Sequence, residues 1–197
     1  GVDYSEIYAP VVRMDSVRLL FSLCAQMDLE FIQFDITTAF LYGFVDEELH
    51  MSPPEGLKIP ENSTLRLRRS LYGLKQAPRC WNSRFTAMLT KFNMRQSTSD
   101  PCVFLGTGKD IVYLALYVDD GLIFARNKST INELIGYLTK EFEVKVVTSN
   151  CFLGVQVVRN KEDHSIFLHQ KDYANKVLHK FNMQDCKIVK TPIELNH

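Results

Sequence analysis

The sequence predicts an α+β fold, and two patterns carry the prediction. Four stretches repeat apolar residues at helical spacing, and between them lie short runs of β-branched and aromatic residues. The two kinds of element follow one another without the regular strand–helix beat that builds a parallel sheet, so a mixed α+β class is expected. Val17, Leu20, Phe21, Cys24 and Met27 predict the first helix, capped by Asp15 or Ser16. Phe31–Ile36 reads as an apolar strand. Thr64–Arg69 alternates apolar and basic residues, so one of its faces is solvated or binds something. Trp81, Phe85, Met88, Leu89 and Phe92 form a second helical stripe opening just after Pro78, with Trp81 expected in the core. Ile111–Val118 and Leu122–Ala125 are two strands a turn apart. Ile131, Leu134, Ile135, Leu138 and Phe142 mark a third helix, with Thr130 and Glu133 at capping-box spacing. Cys151–Val158 and Ser165–His169 are further strands, and Tyr173, Val177, Leu178 and Phe181 mark a fourth helix.

Composition excludes several classes. The 197 residues, 46% hydrophobic and 23% charged, suit one compact domain or one and a half small ones, and neither a disordered nor a fibrous chain. The longest apolar runs are interrupted by Asp119-Asp120 and fall short of the roughly 20 residues of a membrane span, so no membrane partner is expected. Five widely spaced cysteines with no CxxC pair suggest neither a zinc site nor a disulfide framework, and a reducing, intracellular compartment is the default. The chain opens on GVDYSEIYAPVVRM and stops at TPIELNH, and reads as a piece cut from something longer.

A net charge of zero hides local asymmetry. Residues 1–57 carry ten acids and two bases, whereas residues 61–96 carry eight bases and only Glu61. Such a basic segment suits a polyanionic partner. A solvated face whose charges pair with the acidic first third is the competing reading.

Aspartate stands in two places a soluble core disfavours. Asp35 ends the apolar strand in FIQFDITTAF, and Asp119-Asp120 separates two apolar strands in LALYVDDGLIF. A hairpin turning through Val-Asp-Asp-Gly accounts for the second pair by turn chemistry alone. If the strands are neighbours, two or three carboxylates converge at one sheet edge, and the usual relief for that repulsion is a divalent cation. Paired hard cations on shared aspartates are the apparatus of in-line phosphoryl transfer.

The residues carry a resemblance as well. GVDYSEIYAPVVRMDSVR, FDITTAFLYG, SLYGLKQAPRCWN, YVDD, FLGVQV and SIFLHQKDYANKVLHKFNM followed by KTP stand in order over almost the whole chain, and together resemble the reverse transcriptase domain of copia-type LTR retrotransposons. The resemblance implies a right-hand polymerase with a ferredoxin-like palm, an antiparallel sheet with flanking helices. Residues 1–10 and 43–76 would be partial fingers, 11–42 and 77–160 the palm, and 161–197 the start of a thumb or connection. Asp35, Asp119 and Asp120 match the catalytic carboxylates that hold two Mg²⁺ ions (or Mn²⁺), with the Ile36 carbonyl as a further ligand. Phe40 falls where the family selects deoxynucleotides against a 2′-hydroxyl; the residue alone reads as a core aromatic. Tyr72 and Gly73 match positions that pack the nascent base pair. Lys75, Gln76, Pro78 and Arg79, with Arg84, would meet the template, and Phe152, Leu153 and Gly154 would form the hairpin that grips the primer. Lys145 stands where a lysine would protonate the pyrophosphate.

The implied partners are an RNA or DNA template, a nucleic-acid primer, dNTPs and the rest of a Pol polyprotein, with integrase and RNase H. The implied location is cytoplasmic, in a retroelement particle. KVVTSNCFLG departs from the family's run, which resembles KDLGELHYFLG: it is one residue shorter and lacks the Asp-Leu-Gly. The resemblance places the basic finger hairpin before Gly1, and most of the thumb and all of RNase H after residue 197, so these residues alone are expected to extend primers weakly or not at all. A decayed or co-opted copy that binds RNA or hybrid without synthesis is the alternative, and a metal-dependent nuclease a third reading.

Overall fold

The structure, a computed structural model, describes Tyr4 and residues 6–108 and 110–189. In chain order its elements are α1 (Met14–Gln26), β1 (Glu30–Ile36), a single 3₁₀ turn (Ala39–Tyr42), β2 (Phe44–Met51), β3 (Leu65–Arg69), α2 (Ala77–Lys91), β4 (Met94–Gln96), β5 (Val103–Gly106), β6 (Val112–Tyr117), β7 (Asp120–Ala125), α3 (Lys128–Leu138), β8 (Val144–Val147), β9 (Cys151–Phe152), β10 (Val155–Asn160), β11 (Ser165–His169) and α4 (Lys171–Lys180). Six strands form one antiparallel sheet in the order β4-β5-β6-β7-β1-β8. β9, β10 and β11 form a second sheet, and β2 and β3 a two-stranded ribbon. The mixed α+β prediction holds.

The large sheet carries its apolar side chains on both faces, which is why β6 and β7 read as near-continuous apolar runs. On one face, Phe34, Ile36, Leu114, Leu116, Ile123 and Ala125 join the stripes of α2 (Trp81, Phe85, Met88, Leu89) and α3 (Ile131, Leu134, Leu138) in one cluster. On the other, Ala115, Leu122 and Phe124 pack with the α1 stripe (Val17, Leu20, Phe21, Cys24) and with Phe152 and Val157 from the small sheet. Period-2 alternation along β1 therefore puts Phe34 and Ile36 on the α2–α3 face and sends Gln33 and Asp35 to the α1 face.

Strand order places β1 and β7 side by side in the interior of the sheet. The chain leaves β1, crosses through α2 to β6, parallel to β1, and returns along β7 into the gap between them. It then crosses through α3 to β8 on the far side of β1. This is a β-α-β-β-α-β succession with a split crossover.

Several local expectations differ from what forms. No side-chain cap closes α1 at Asp15 or Ser16; its N-cap residue is Arg13, whose amide donates to Asp100 at 3.0 Å, while Ser16 Oγ donates to the same carboxylate at 2.6 Å. The cap is thus supplied from 84–87 residues away, which no local pattern can reveal. The capping box at Thr130–Glu133 is absent, because the N-cap of α3 is Asn127, three residues earlier. The 151–158 run is broken by a turn at Leu153-Gly154, both at positive φ (51° and 77°), the dihedral signs of a tight I′ hairpin. β2, β4, β5 and β8 were not expected as strands: β2 is acid-rich and the others have three or four residues. The apolar stripe of α4 exists, but the helix buries no residue. All five cysteines are free; burial pushes the Cys24 and Cys102 thiols up, to about 11 and about 12. Among the described residues, no helix is long and apolar enough to cross a membrane.

Candidate active site

The two aspartate segments do become neighbours. β1 pairs with β7 in the register Asp35↔Asp120, and Asp119 sits in the turn that leads into β7. The turn is the pair Val118-Asp119, with Tyr117 and Asp120 closing the ladder on either side. Gly121, expected within the turn, is already in the strand and faces Phe34. A Cβ at Gly121 would lie 2.2 Å from the Phe34 ring, so the glycine is there to admit that ring. The close approach of β7 to β1 holds the two carboxylates at the same level of the sheet. A backbone bond from the Ile36 amide to the Asp119 carbonyl, 3.0 Å, closes the end of the ladder.

The carboxylates feel one another. Burial, then the charges of Asp119 and Asp35, push the Asp120 carboxyl above its ordinary range, against a hydrogen bond from Gln33 that lowers it. Gln33 stands two residues before Asp35 on the same face, diagonal to Asp120. On the other side of β1, Lys145 pairs with Asp35, so a row runs Asp120, Asp35, Lys145 across three strands. Glu143 lies 3.7 Å from the Lys145 ammonium. Among the described residues, no group of three or more His, Cys, Asp or Glu is arranged to hold a metal ion. By chemistry the donor set still fits a hard divalent cation: the oxygens are carboxylate, and their mutual repulsion is already expressed at Asp120. Thr37 Oγ1, two residues beyond Asp35, is buried and without a partner.

Around this centre the expected contact residues separate into two sets. Phe40, in the 3₁₀ turn after β1, meets Tyr72 with ring centroids 5.0 Å apart, and Tyr72 is exposed. Gly73 follows at φ 99°, a backbone conformation that suits glycine. The Ser70 hydroxyl donates to the Phe40 carbonyl, and its amide donates to the Gly43 carbonyl, tying this corner to the end of β1. Lys75 is exposed, its ammonium 5.7 Å from the Tyr4 ring. Leu153 and Gly154 form the tip of the β9–β10 turn.

The second set turns inward. Gln76 is 3% exposed and Phe152 1%, so neither presents a side chain to a nucleic acid. Gln76 leads into α2, and Phe152 belongs to the core beneath the small sheet. Pro78 sits in the first turn of α2, where its missing N–H costs nothing. Arg79 is engaged within the molecule: Nε donates to the Glu6 carbonyl, and a terminal nitrogen lies 3.3 Å from Asp46 and 4.0 Å from Glu47. Arg84 pairs with Glu141. Of the eight bases in residues 61–96, Arg79 is thus paired with the acidic first third and Arg84 with Glu141. Arg66, Arg68 and Arg69 have no ion pair among the described residues.

A reverse transcriptase (RNA-dependent DNA polymerase) family model matches residues 1–195. The chain belongs to that family. Among similar proteins are the retrovirus-related Pol polyproteins from transposon TNT 1-94 of Nicotiana tabacum, 40% identical over 98% of this chain, and from transposon RE1 of Arabidopsis thaliana, 34% identical over 98%. A transposon Ty1-ER2 Gag-Pol polyprotein of Saccharomyces cerevisiae is 30% identical over 74% of the chain. The chain spans 15%, 13% and 8% of these relatives, respectively. It is a reverse transcriptase domain of the kind found in copia-type Pol polyproteins.

Two residues of this reverse transcriptase site were missed by sequence reasoning. Gln33 carried no signal beyond being a lone polar residue in an apolar strand. Trp81 reads as core and is 1% exposed, yet its indole N–H donates to the Val118 carbonyl at 2.6 Å.

Proposed function

We propose that this domain catalyses RNA-directed DNA synthesis, adding deoxynucleotides to a primer 3′-hydroxyl with release of pyrophosphate. The observation that carries the reading is the register Asp35↔Asp120, with Asp119 in the adjoining turn, at the centre of a split β-α-β-β-α-β sheet. In this reading that sheet would be the palm, the β2–β3 ribbon part of the fingers, and residues 161–189 the start of the thumb or connection; the rest of that stretch, 190–197, lies outside the described residues. Asp35, Asp119 and Asp120, with the Ile36 carbonyl, would hold two Mg²⁺ ions, which supply charge neutralisation and an activated 3′-oxygen.

The chain's own residues do the rest. Gln33 fixes the Asp120 carboxylate, and the Ile36–Asp119 backbone bond fixes the turn. Such preorganisation is what lets an active site stabilise developing charge without reorganising. The Phe40–Tyr72 pair forms an aromatic corner beside the 3₁₀ turn; Phe40 would close the space a ribose 2′-hydroxyl needs, and Tyr72 with Gly73 would support the new base pair. Lys75 and the β3 arginines Arg66, Arg68 and Arg69 would face phosphates of the template, and the Leu153-Gly154 turn would face the primer end. Lys145, in the row beside Asp35, would deliver a proton to the pyrophosphate. Template, primer, dNTPs and the other Pol domains are the partners of this reading, in a cytoplasmic particle.

The discriminating experiment is a 5′-labelled primer annealed to an RNA template, incubated with dNTPs and Mg²⁺ and a Pol polyprotein carrying this domain. Stepwise lengthening supports synthesis. Shortening of the labelled DNA primer supports a nuclease, and binding with neither lengthening nor primer shortening supports a co-opted copy.

A further inference from the structure

The turn that presents Asp119 and Asp120 is in a conformation its sequence disfavours. Of its two central residues, Val118 takes a positive φ, 58°, and Asp119 does not. That is the sign pattern of a II′ turn, whose first central position belongs to glycine. A β-branched residue at positive φ is a genuine outlier, and such strain persists only where surrounding structure over-determines it. Two bonds do so here. The Asp119 carbonyl accepts from the Ile36 amide, and the Val118 carbonyl accepts from Trp81 Nε1 at 2.6 Å. The indole cannot easily yield, because Trp81 is packed against Phe85, Phe142 and Tyr42, with ring centroids 5.3, 5.1 and 6.2 Å away.

We propose that Trp81 is a positioning residue, whose indole N–H holds the strained Val118 peptide and thereby keeps Asp119 and Asp120 aligned with Asp35. The proposal rests on the polymerase reading for its catalytic consequence and on the hydrogen bond alone for its structural one. The helix that supplies the core stripe thus also reaches through the sheet end to the catalytic turn. A tryptophan is required because a phenylalanine of similar packing lacks the donor.

The test separates the hydrogen bond from packing. Trp81→Phe keeps an aromatic ring; should it fail to fold, benzothienylalanine at position 81 keeps the ring shape and replaces N–H with sulfur. Each is made in the native sequence and in a Val118→Gly background, where positive φ carries no penalty. In the native background, loss of the donor is expected to lower the single-turnover rate of dNTP addition by about 10–30-fold, the worth of a part-buried hydrogen bond. KM for dNTP should stay within about twofold, and exchange of the Ile36 amide should accelerate by about tenfold, because the turn it caps opens more often. In the Val118→Gly background the same change should cost less than about threefold in rate and leave Ile36 exchange nearly unaltered. Equal losses in both backgrounds, or unchanged Ile36 exchange in the native one, would overturn the proposal. The rates are read in a Pol polyprotein carrying this domain; if the native polyprotein adds no nucleotide at all, the polymerase reading fails, and the exchange measurements still decide whether Trp81 holds the turn.

Discussion

Gly121 offers a quantitative test of how the carboxylates are brought together. A Cβ added there would lie 2.2, 2.4 and 2.9 Å from three atoms of the Phe34 ring. Ordinary carbon contacts begin near 3.5 Å, so the ring or the strand must retreat by roughly 1.3 Å. Phe34 is fully buried and belongs to the cluster packed by α2 and α3, a close-packed interior with no room to receive it. Overpacking of this kind costs about 2–3 kcal/mol. For a domain of this size that is roughly 4–12 °C in Tm. Gly121→Ala is therefore expected to lower Tm by that amount and to lower activity further, since the strained contact lies between Asp120 and Leu122, beside Asp35. Phe34→Leu shortens the ring side chain that the new methyl meets. The double variant should lose clearly less stability than the sum of the two single losses. Calorimetry on the four proteins decides the matter. A Tm for Gly121→Ala within about 1 °C of the native value, or strict additivity in the double variant, would refute the reasoning.

Three further outcomes are expected. The Asp120 carboxyl is raised by burial and by its acidic neighbours, so its ionised form destabilises the fold. The penalty is absent at pH below its ordinary value of 3.8 and complete above the raised one. Asp120→Asn should raise Tm at pH 8, with the gain shrinking toward pH 4 in a pH series of melts; a lower Tm at pH 8 would contradict this. Asp100 is 3% exposed and accepts from the Arg13 amide, the Ser16 hydroxyl and the Cys102 amide. Asp100→Ala leaves one buried donor, the Cys102 amide, and two part-buried ones without their acceptor and should cost about 2–4 kcal/mol in urea unfolding, with an unchanged m-value. Phe40→Val should raise the ribo- to deoxynucleotide ratio of kcat/KM, whereas a purely structural Phe40 would show lost stability of about 1–4 kcal/mol and an unchanged ratio.

The parts of the fold legible in the sequence were those in which one residue's environment is set by its chain neighbours. The stripe of α2, from Trp81 to Leu89, repeats at helical spacing because one side of that helix is buried, and the sequence shows it directly. β11 was found at its full length for the same reason. β4 and β5 were not: three or four residues carry too little pattern, and they are strands because β6 offers them an edge. The carboxylates of the site were legible as residues that a core disfavours, but their meeting depends on the β1–β7 register, which is a tertiary fact. Gly121 shows the limit well. Its neighbours suggested a turn, and only Phe34, 87 positions away, explains why a glycine is needed. Gln76 and Arg79 lay in the right segment for a template contact, but burial and the acids of β2 claimed them first.

The central claim is that Asp35 and Asp119 serve nucleotide addition rather than folding. Single-turnover incorporation of one dNTP opposite an RNA template, by a Pol polyprotein carrying the native domain or Asp119→Asn, tests it most directly. Both proteins should melt as folded species, and the Asn variant should incorporate at least ~10³-fold more slowly, because a carboxylate that stabilises developing charge has been removed. Incorporation by Asp119→Asn at near the native rate would contradict the account.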